Sequence, residues 1–255
     1  MKMSLAPLAI LAAMLSVSGA TRGFVPAPRT PVLVELFTSE GCASCPPADL
    51  LLAKFLREQP VPEAEIIPVA FHVDSWDHQG WKDPFSSKNF TARQKRYSQI
   101  FGEDSVDTPR LIVNGREQVV GSDEAAAGRL IAAAAARTPL PMKVSARALD
   151  GGLRLSIDLP AAPAGAEPID VLVALAEDDL QSVVRRGENQ GRTLTHVAVV
   201  RRLQTLGTLE PESFVASGQV TLERGWQTPR MRAVAWLQGR KSQQVFGAAA
   251  ASVAR

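Results

Sequence analysis

"SEGCASCPPADLLLAKFL", residues 39 to 56, holds both cysteines of this 255-residue chain. They stand three positions apart. Two prolines follow, then an apolar run in which Leu51, Leu52, Phe55 and Leu56 share one helical face. The stretch before them, "PVLVELFT" (31–38), reads as a buried strand with one charge, Glu35, inside it. The pair therefore sits between a strand and a helix. Proline restricts the residue before it, so the regular helix is expected to start at Pro46 or Pro47 with Cys45 near its N-cap.

Such a pair has three readings: a small staple, half of a metal site, or a dithiol that exchanges electrons. On the chain-entropy model so short a loop is worth about 2 kcal/mol, against about 3–5 kcal/mol for long loops. It links no distant elements, which makes a staple a poor use of the only two cysteines. C-x-x-C in a βαβ context reads as redox-active, and a helix N-terminus favours the reactive thiolate.

Working outward, the first half reads β-α-β-α-β-β-α. "EIIPVAFHV" (65–73) is a second strand, where Pro68 removes a ladder donor and points to an edge, a bulge or a strand start. "SSKNFTARQKRYSQIF" is a helix, "RLIVNGREQVVG" a hairpin turning at Asn114-Gly115, and "SDEAAAGRLIAAAAAR" a helix with a serine cap. Beyond Pro139–Pro141 the pattern changes to short strands separated by Gly, Pro and Asn, which reads as a β-sandwich. The fold expected is an α/β domain over 30–138 followed by an all-β sandwich-like domain over 142–250.

The N-terminus, "MKMSLAPLAILAAMLSVSGATRGF", has Lys2, an apolar run from Leu5 to Val17, and Ser18 and Ala20 at the positions a signal peptidase reads. Residues 1–20 are thus expected to be a signal peptide. The mature chain would be secreted or periplasmic, where disulfides persist. Charged residues make up 21% and the net charge is +2, so neither nucleic acid nor, after cleavage, a membrane is expected as partner.

Pro109 opens the hairpin strand after Thr108, and an X-Pro bond there is open to either isomer. "FHVDSWDHQGWKDPF" (71–85) crowds Asp74, Trp76 and Trp81 at the sheet end expected to carry the cysteines. They read either as a cleft wall that contacts substrate or as a capped loop packed on by tryptophans. In "RRGENQGRTLTH", Arg185, Arg186 and Arg192 read either as thiolate-stabilising or as solvated hairpin charges.

Four separated segments, "VELFTSEGCASCPPAD", "FHVDSWDHQGWKDPF", "TPRLIVNG" and "RGENQGRTLTHVAVVRR", resemble a family of secreted bacterial proteins with a thioredoxin-like domain and no assigned function, catalogued as a domain of unknown function. The resemblance spans most of residues 31–205. It implies a thioredoxin-like first half, Cys42 as attacking thiol, Cys45 as resolving thiol, and Pro109 as a cis-proline facing them. It also implies Glu35 as the buried acid that moves protons. Thiol–disulfide exchange with a protein or small-molecule thiol or disulfide is the function expected, with no cofactor and no metal. Whether the chain is an enzyme is left open. Two other readings stand beside it. Two thiolates with His72 or His78 suit Cu(I) or Zn(II), and the first half could serve as a non-catalytic binding platform.

Overall fold

Strand β1 (Thr30–Thr38) is buried from Val32 to its end. Helix α1 (Pro46–Glu58) follows, with Cys45 as its N-cap and both prolines in the first turn, where no intrahelical donor is needed. Cys45 keeps helical backbone angles, φ −79° and ψ −36°, although a proline follows it. The Ala48 and Asp49 amides both donate to its carbonyl, which holds it there. This computed structural model describes residues 28–254; the expected signal peptide lies outside them.

Strand β2 (Ala64–His72) runs parallel to β1, and a 3₁₀ turn spans Asp74–Gln79. Helix α2 (Lys88–Phe101) is capped by Ser87, whose side chain accepts from the Asn89 amide. Strands β3 (Arg110–Val113) and β4 (Glu117–Val120) form the expected hairpin, with Asn114 and Gly115 both at positive φ. Helix α3 (Glu124–Ala135) is capped by Asp123 rather than Ser122, through the Ala126 amide.

The second half supplies β5 (Lys143–Leu149), β6 (Gly152–Leu159), β7 (Ile169–Glu177), β8 (Leu180–Val183), β9 (Thr193–His196), β10 (Val199–Thr208), β11 (Phe214–Thr221), β12 (Met231–Gly239) and β13 (Val245–Ala254). These strands do not make a separate sandwich. Eleven strands form one mixed sheet in the order β11-β6-β5-β13-β12-β7-β10-β2-β1-β3-β4, and β8 with β9 forms a two-stranded arm. The expected fold class, a thioredoxin-like α/β domain plus an all-β sandwich-like domain, is therefore corrected to a mostly β protein built on one large mixed sheet.

Two features explain the difference. Strand β10 joins β2 in parallel at Val199–Ala70, where the Ala70 amide donates to the Ala198 carbonyl at 2.8 Å. Pro68, which has no amide to give, lies before this seam and is tolerated. The cores also merge. Trp236 and Val234 of β12 pack with Leu33, Phe37, Phe71 and Tyr97 from the first half. Alternation in a sequence tells which residues share a face, not which neighbour a strand will find.

The sheet's two faces set up the site. Val34 and Leu36 of β1 pack with Leu52 and Phe55 of α1 and Ile131 of α3. Leu33 and Phe37 point the other way, toward Phe90 and Tyr97 of α2. Glu35, between Val34 and Leu36, belongs to this second face. Among the described residues no helix is long and apolar enough to cross a membrane.

Candidate functional site

Cys42 and Cys45 are joined by a disulfide at the junction of β1 and α1. The loop between them is closed by the Cys45 amide donating to the Cys42 carbonyl. Cys42 Sγ lies 3.7 Å from the Thr108 carbonyl oxygen and 3.4 Å from Ser44 Oγ. The Thr108–Pro109 peptide is cis. Pro109 packs so closely on Gly121 that a Cβ there would come within 2.9 Å of Pro109 Cβ and 3.0 Å of Ala48 Cβ. The 3₁₀ turn contributes Trp76, whose indole N–H donates to Thr108 Oγ1 at 2.6 Å. Gly41 lets the turn approach, since a Cβ at 41 would stand 3.0 Å from Trp76 Cβ.

Both sulfurs are nonetheless closed off: Cys42 and Cys45 are each 0% exposed. Neither sulfur is open to solvent, although the resemblance implies Cys42 as an attacking thiol. Part of the cover is the loop leading into β9. The Glu188 carboxylate accepts from the Ala43 amide at 2.9 Å. The buried side-chain amide of Asn189 donates to the Glu40 carbonyl at 2.8 Å and to the Cys42 carbonyl at 2.9 Å. Arg192 holds Asn189 in place by donating to its Oδ1 at 2.7 Å. The loop leans over the cysteines. It does so through Glu188 and Asn189, while Arg185 and Arg186 are exposed.

Beside the cysteine loop lies a largely buried polar cluster in which Glu40 and Asp83, which the sequence did not single out, join His72, Trp81 and His196. The Glu40 carboxylate accepts from Trp81 Nε1 at 2.8 Å and from the Ser182 hydroxyl, and it lies 3.1 Å from His196 Nε2. Asp83 takes the Glu40 amide at 2.9 Å and His72 Nδ1 at 2.7 Å on one oxygen. Burial disfavours a charged His72, but the charge and hydrogen bond of Asp83 outweigh it and hold the imidazole above its ordinary pKa. Burial also pushes Asp83 upward, and His72 outweighs that too, keeping the carboxyl below its usual range. Asp49, one turn after Cys45 on α1, lies 3.7 Å from His196 Nδ1. Burial pushes its carboxyl up, against the pull of His196, His72 and the Thr38 hydroxyl.

Of the residues marked from sequence, the structure gathers Cys42, Cys45, Thr108, Pro109 and Trp76 at one place. Trp81 joins indirectly, through Glu40. Two go elsewhere. Glu35 pairs with Arg93 Nε at 2.7 Å and accepts from the Tyr97 hydroxyl at 2.6 Å, on the sheet face packed against α2. Asp74 accepts from the Thr91 hydroxyl while its amide donates to Thr91, which fixes the turn to α2. Glu40, Asn189 and Glu188 are the residues sequence reasoning missed. For Glu188 and Asn189 the local signal is the pair Gly187 and Gly191, both at positive φ, which bracket them. Among the described residues no three His, Cys, Asp or Glu side chains converge as a metal site.

A family described as "Protein of unknown function (DUF1223)" matches residues 33–238, and the chain belongs to it. The crystal structure of an Agrobacterium tumefaciens protein from a structural genomics effort is similar, with 28% identity, a TM-score of 0.68, and coverage of 88% of this chain and 94% of that one. HBP35 of Porphyromonas gingivalis shares the fold at 16% identity and a TM-score of 0.65, covering 90% of this chain and 77% of its own. No curated protein matches.

Proposed function

We propose that this member of a family without assigned function carries out thiol–disulfide exchange through Cys42 and Cys45, with Cys42 as the nucleophile. The observation that supports it is the placement of the disulfide at a strand-to-helix junction, with the Thr108 carbonyl 3.7 Å from Cys42 Sγ. The amides at the start of α1 favour a thiolate. Cys45 is fixed in the helix by two amides on its carbonyl, whereas Cys42 is followed by exposed Ala43 and Ser44, the side from which a partner approaches.

In the reduced protein, the Cys42 thiolate attacks a partner disulfide. A Cys42–partner S–S bond forms, the partner's own S–S bond breaks, and the departing sulfur takes a proton. The Cys45 thiolate then attacks Cys42 Sγ and displaces the second partner sulfur as a thiol. The protein ends as the Cys42–Cys45 disulfide and the partner gains two electrons. The same steps run backwards oxidise a partner dithiol.

The full burial of both sulfurs favours a second reading, an inert staple. The reduction potential separates the two. Equilibration in thiol–disulfide buffers followed by alkylation and mass analysis is expected to give a reversible midpoint above about −300 mV, whereas a structural disulfide lies below about that value. A midpoint below it, or irreversible loss of fold on reduction, would show the staple.

A further inference from the structure

The backbone polar groups of the cysteine loop are occupied by side chains from far along the chain. Asn189 donates to the carbonyls of Glu40 and Cys42, and Glu188 accepts from the amide of Ala43. These side chains supply, in reverse, what a peptide backbone supplies: donors for two carbonyls and an acceptor for one amide. Gly187 presses the loop onto the neighbouring turn, since a Cβ there would meet Gln79 O at 3.3 Å and Trp81 Cβ at 3.4 Å. With the loop seated, no attacking sulfur reaches Cys42 or Cys45.

Next to the root of this loop, a cleft of about 440 Å³ opens between α1 and β9. Pro46, Leu50, Leu194 and Arg192 line it, and Leu50 is 70% exposed at its edge. Pro46, Leu50 and Leu194 together give this cleft an apolar wall within reach of the loop's root.

Resting on the exchange reading above, we propose that Glu188 and Asn189 are specificity-determining residues, and that the substrate is a polypeptide disulfide or dithiol whose chain replaces them on the cysteine loop. A polypeptide offers backbone groups to take over the three hydrogen bonds and an apolar side chain for the cleft beside Leu50. A small thiol such as dithiothreitol offers neither, and must wait for the loop to open unaided. The protein therefore discriminates by requiring its substrate to displace the cover.

The test uses the full mature chain, with Asn189→Ala and the exposed-site variant Glu188→Ala, which does not threaten folding. Reduction of Cys42–Cys45 by dithiothreitol is compared with reduction by a reduced, unfolded polypeptide dithiol. Wild type is expected to be reduced by dithiothreitol at least 10-fold more slowly than a solvent-exposed peptide disulfide. Glu188→Ala is expected to gain a few-fold and Asn189→Ala about 10- to 100-fold, because one and two hydrogen bonds are removed. With the polypeptide, which has to displace the same cover, each variant is expected to gain no more than it does with dithiothreitol. Equal dithiothreitol rates in wild type and both variants, with polypeptide exchange intact, would overturn this inference alone. Faster reduction by dithiothreitol with no exchange by any polypeptide in wild type would overturn the substrate class and the exchange reading together.

Discussion

The side-chain amide of Asn189 lies 2.9 Å from the carbonyl oxygen of Cys42, across 147 residues of chain. That bond ties the arm of β8 and β9 to the turn between β1 and α1. The surroundings of the disulfide are thus set by a distant arm as well as by its own loop.

The hub below it is Glu40. Glu40→Ala leaves Trp81 Nε1 and the Ser182 hydroxyl without their acceptor. Both residues are half-buried, so each falls at the lower end of the about 1–3 kcal/mol that an unpaired donor costs, and a stability loss of about 2 kcal/mol is expected in urea unfolding. The loosening should concentrate in the arm. Amides of residues 180–196 are expected to exchange hydrogen faster than those of β1.

Glu35 belongs to a different structure. Its partner Arg93 lies over the rings of Phe71, Tyr97 and Trp236 at 5.4, 5.1 and 5.4 Å, and also donates to Gln238 on β12. Arg93→Met strips a buried carboxylate of its counter-charge, with an expected loss of about 3–5 kcal/mol. Glu35→Gln, tested in folded protein, is expected to leave the rate of disulfide reduction unchanged, because Glu35 faces α2.

The His72–Asp83 pair gives stability a pH dependence whose sign follows from its pKa directions. His72 is raised, so its contribution is complete below the ordinary histidine value of 6.5 and is lost as pH rises through its folded value. Asp83 is lowered, so its contribution is present above 3.8 and is lost as pH falls through its depressed value. Asp49 is raised, and its contribution declines as pH climbs from 3.8 through its elevated value. Unfolding free energies from urea titrations are expected to fall as pH rises above about 6.5, by at most about 1.4 kcal/mol per pH unit for one proton. His72→Gln is expected to flatten that decline.

Close approach at Gly121 also has a measurable consequence. A methyl group there would meet Leu36 Cδ1 and Pro109 Cβ at 2.9 Å, both in the packed layer behind the cysteines. Gly121→Ala is expected to cost about 1–3 kcal/mol by overpacking, read from thermal or urea unfolding.

The local elements were legible because their signals are local. The apolar face of "ADLLLAKFLRE", the turn at Asn114-Gly115 and the prolines after Cys45 each act within a few residues. What the sequence did not show was the joining of Val199 to Ala70, or the packing of Trp236 against Phe37 and Tyr97. A strand's pattern carries no address for its neighbour. The site divided the same way. Cys42, Cys45 and Thr108-Pro109 stood out by residue type and spacing. Glu188 and Asn189 looked like ordinary turn residues, because their partners lie some 145 and 147 positions away.

The central claim, that Cys42 is a nucleophile that exchanges disulfides, is tested most directly by trapping. Cys45→Ser leaves Cys42 alone, and Cys42→Ser leaves Cys45 alone. Each is mixed with a disulfide-containing peptide, and the mixed disulfide is followed by mass spectrometry against a free model thiol. Cys42 in Cys45→Ser is expected to form a mixed disulfide faster than the model thiol, and Cys45 in Cys42→Ser more slowly. Rapid reaction of Cys45 with a sluggish Cys42 would reverse the assignment, and reaction of neither above the model thiol would contradict exchange itself.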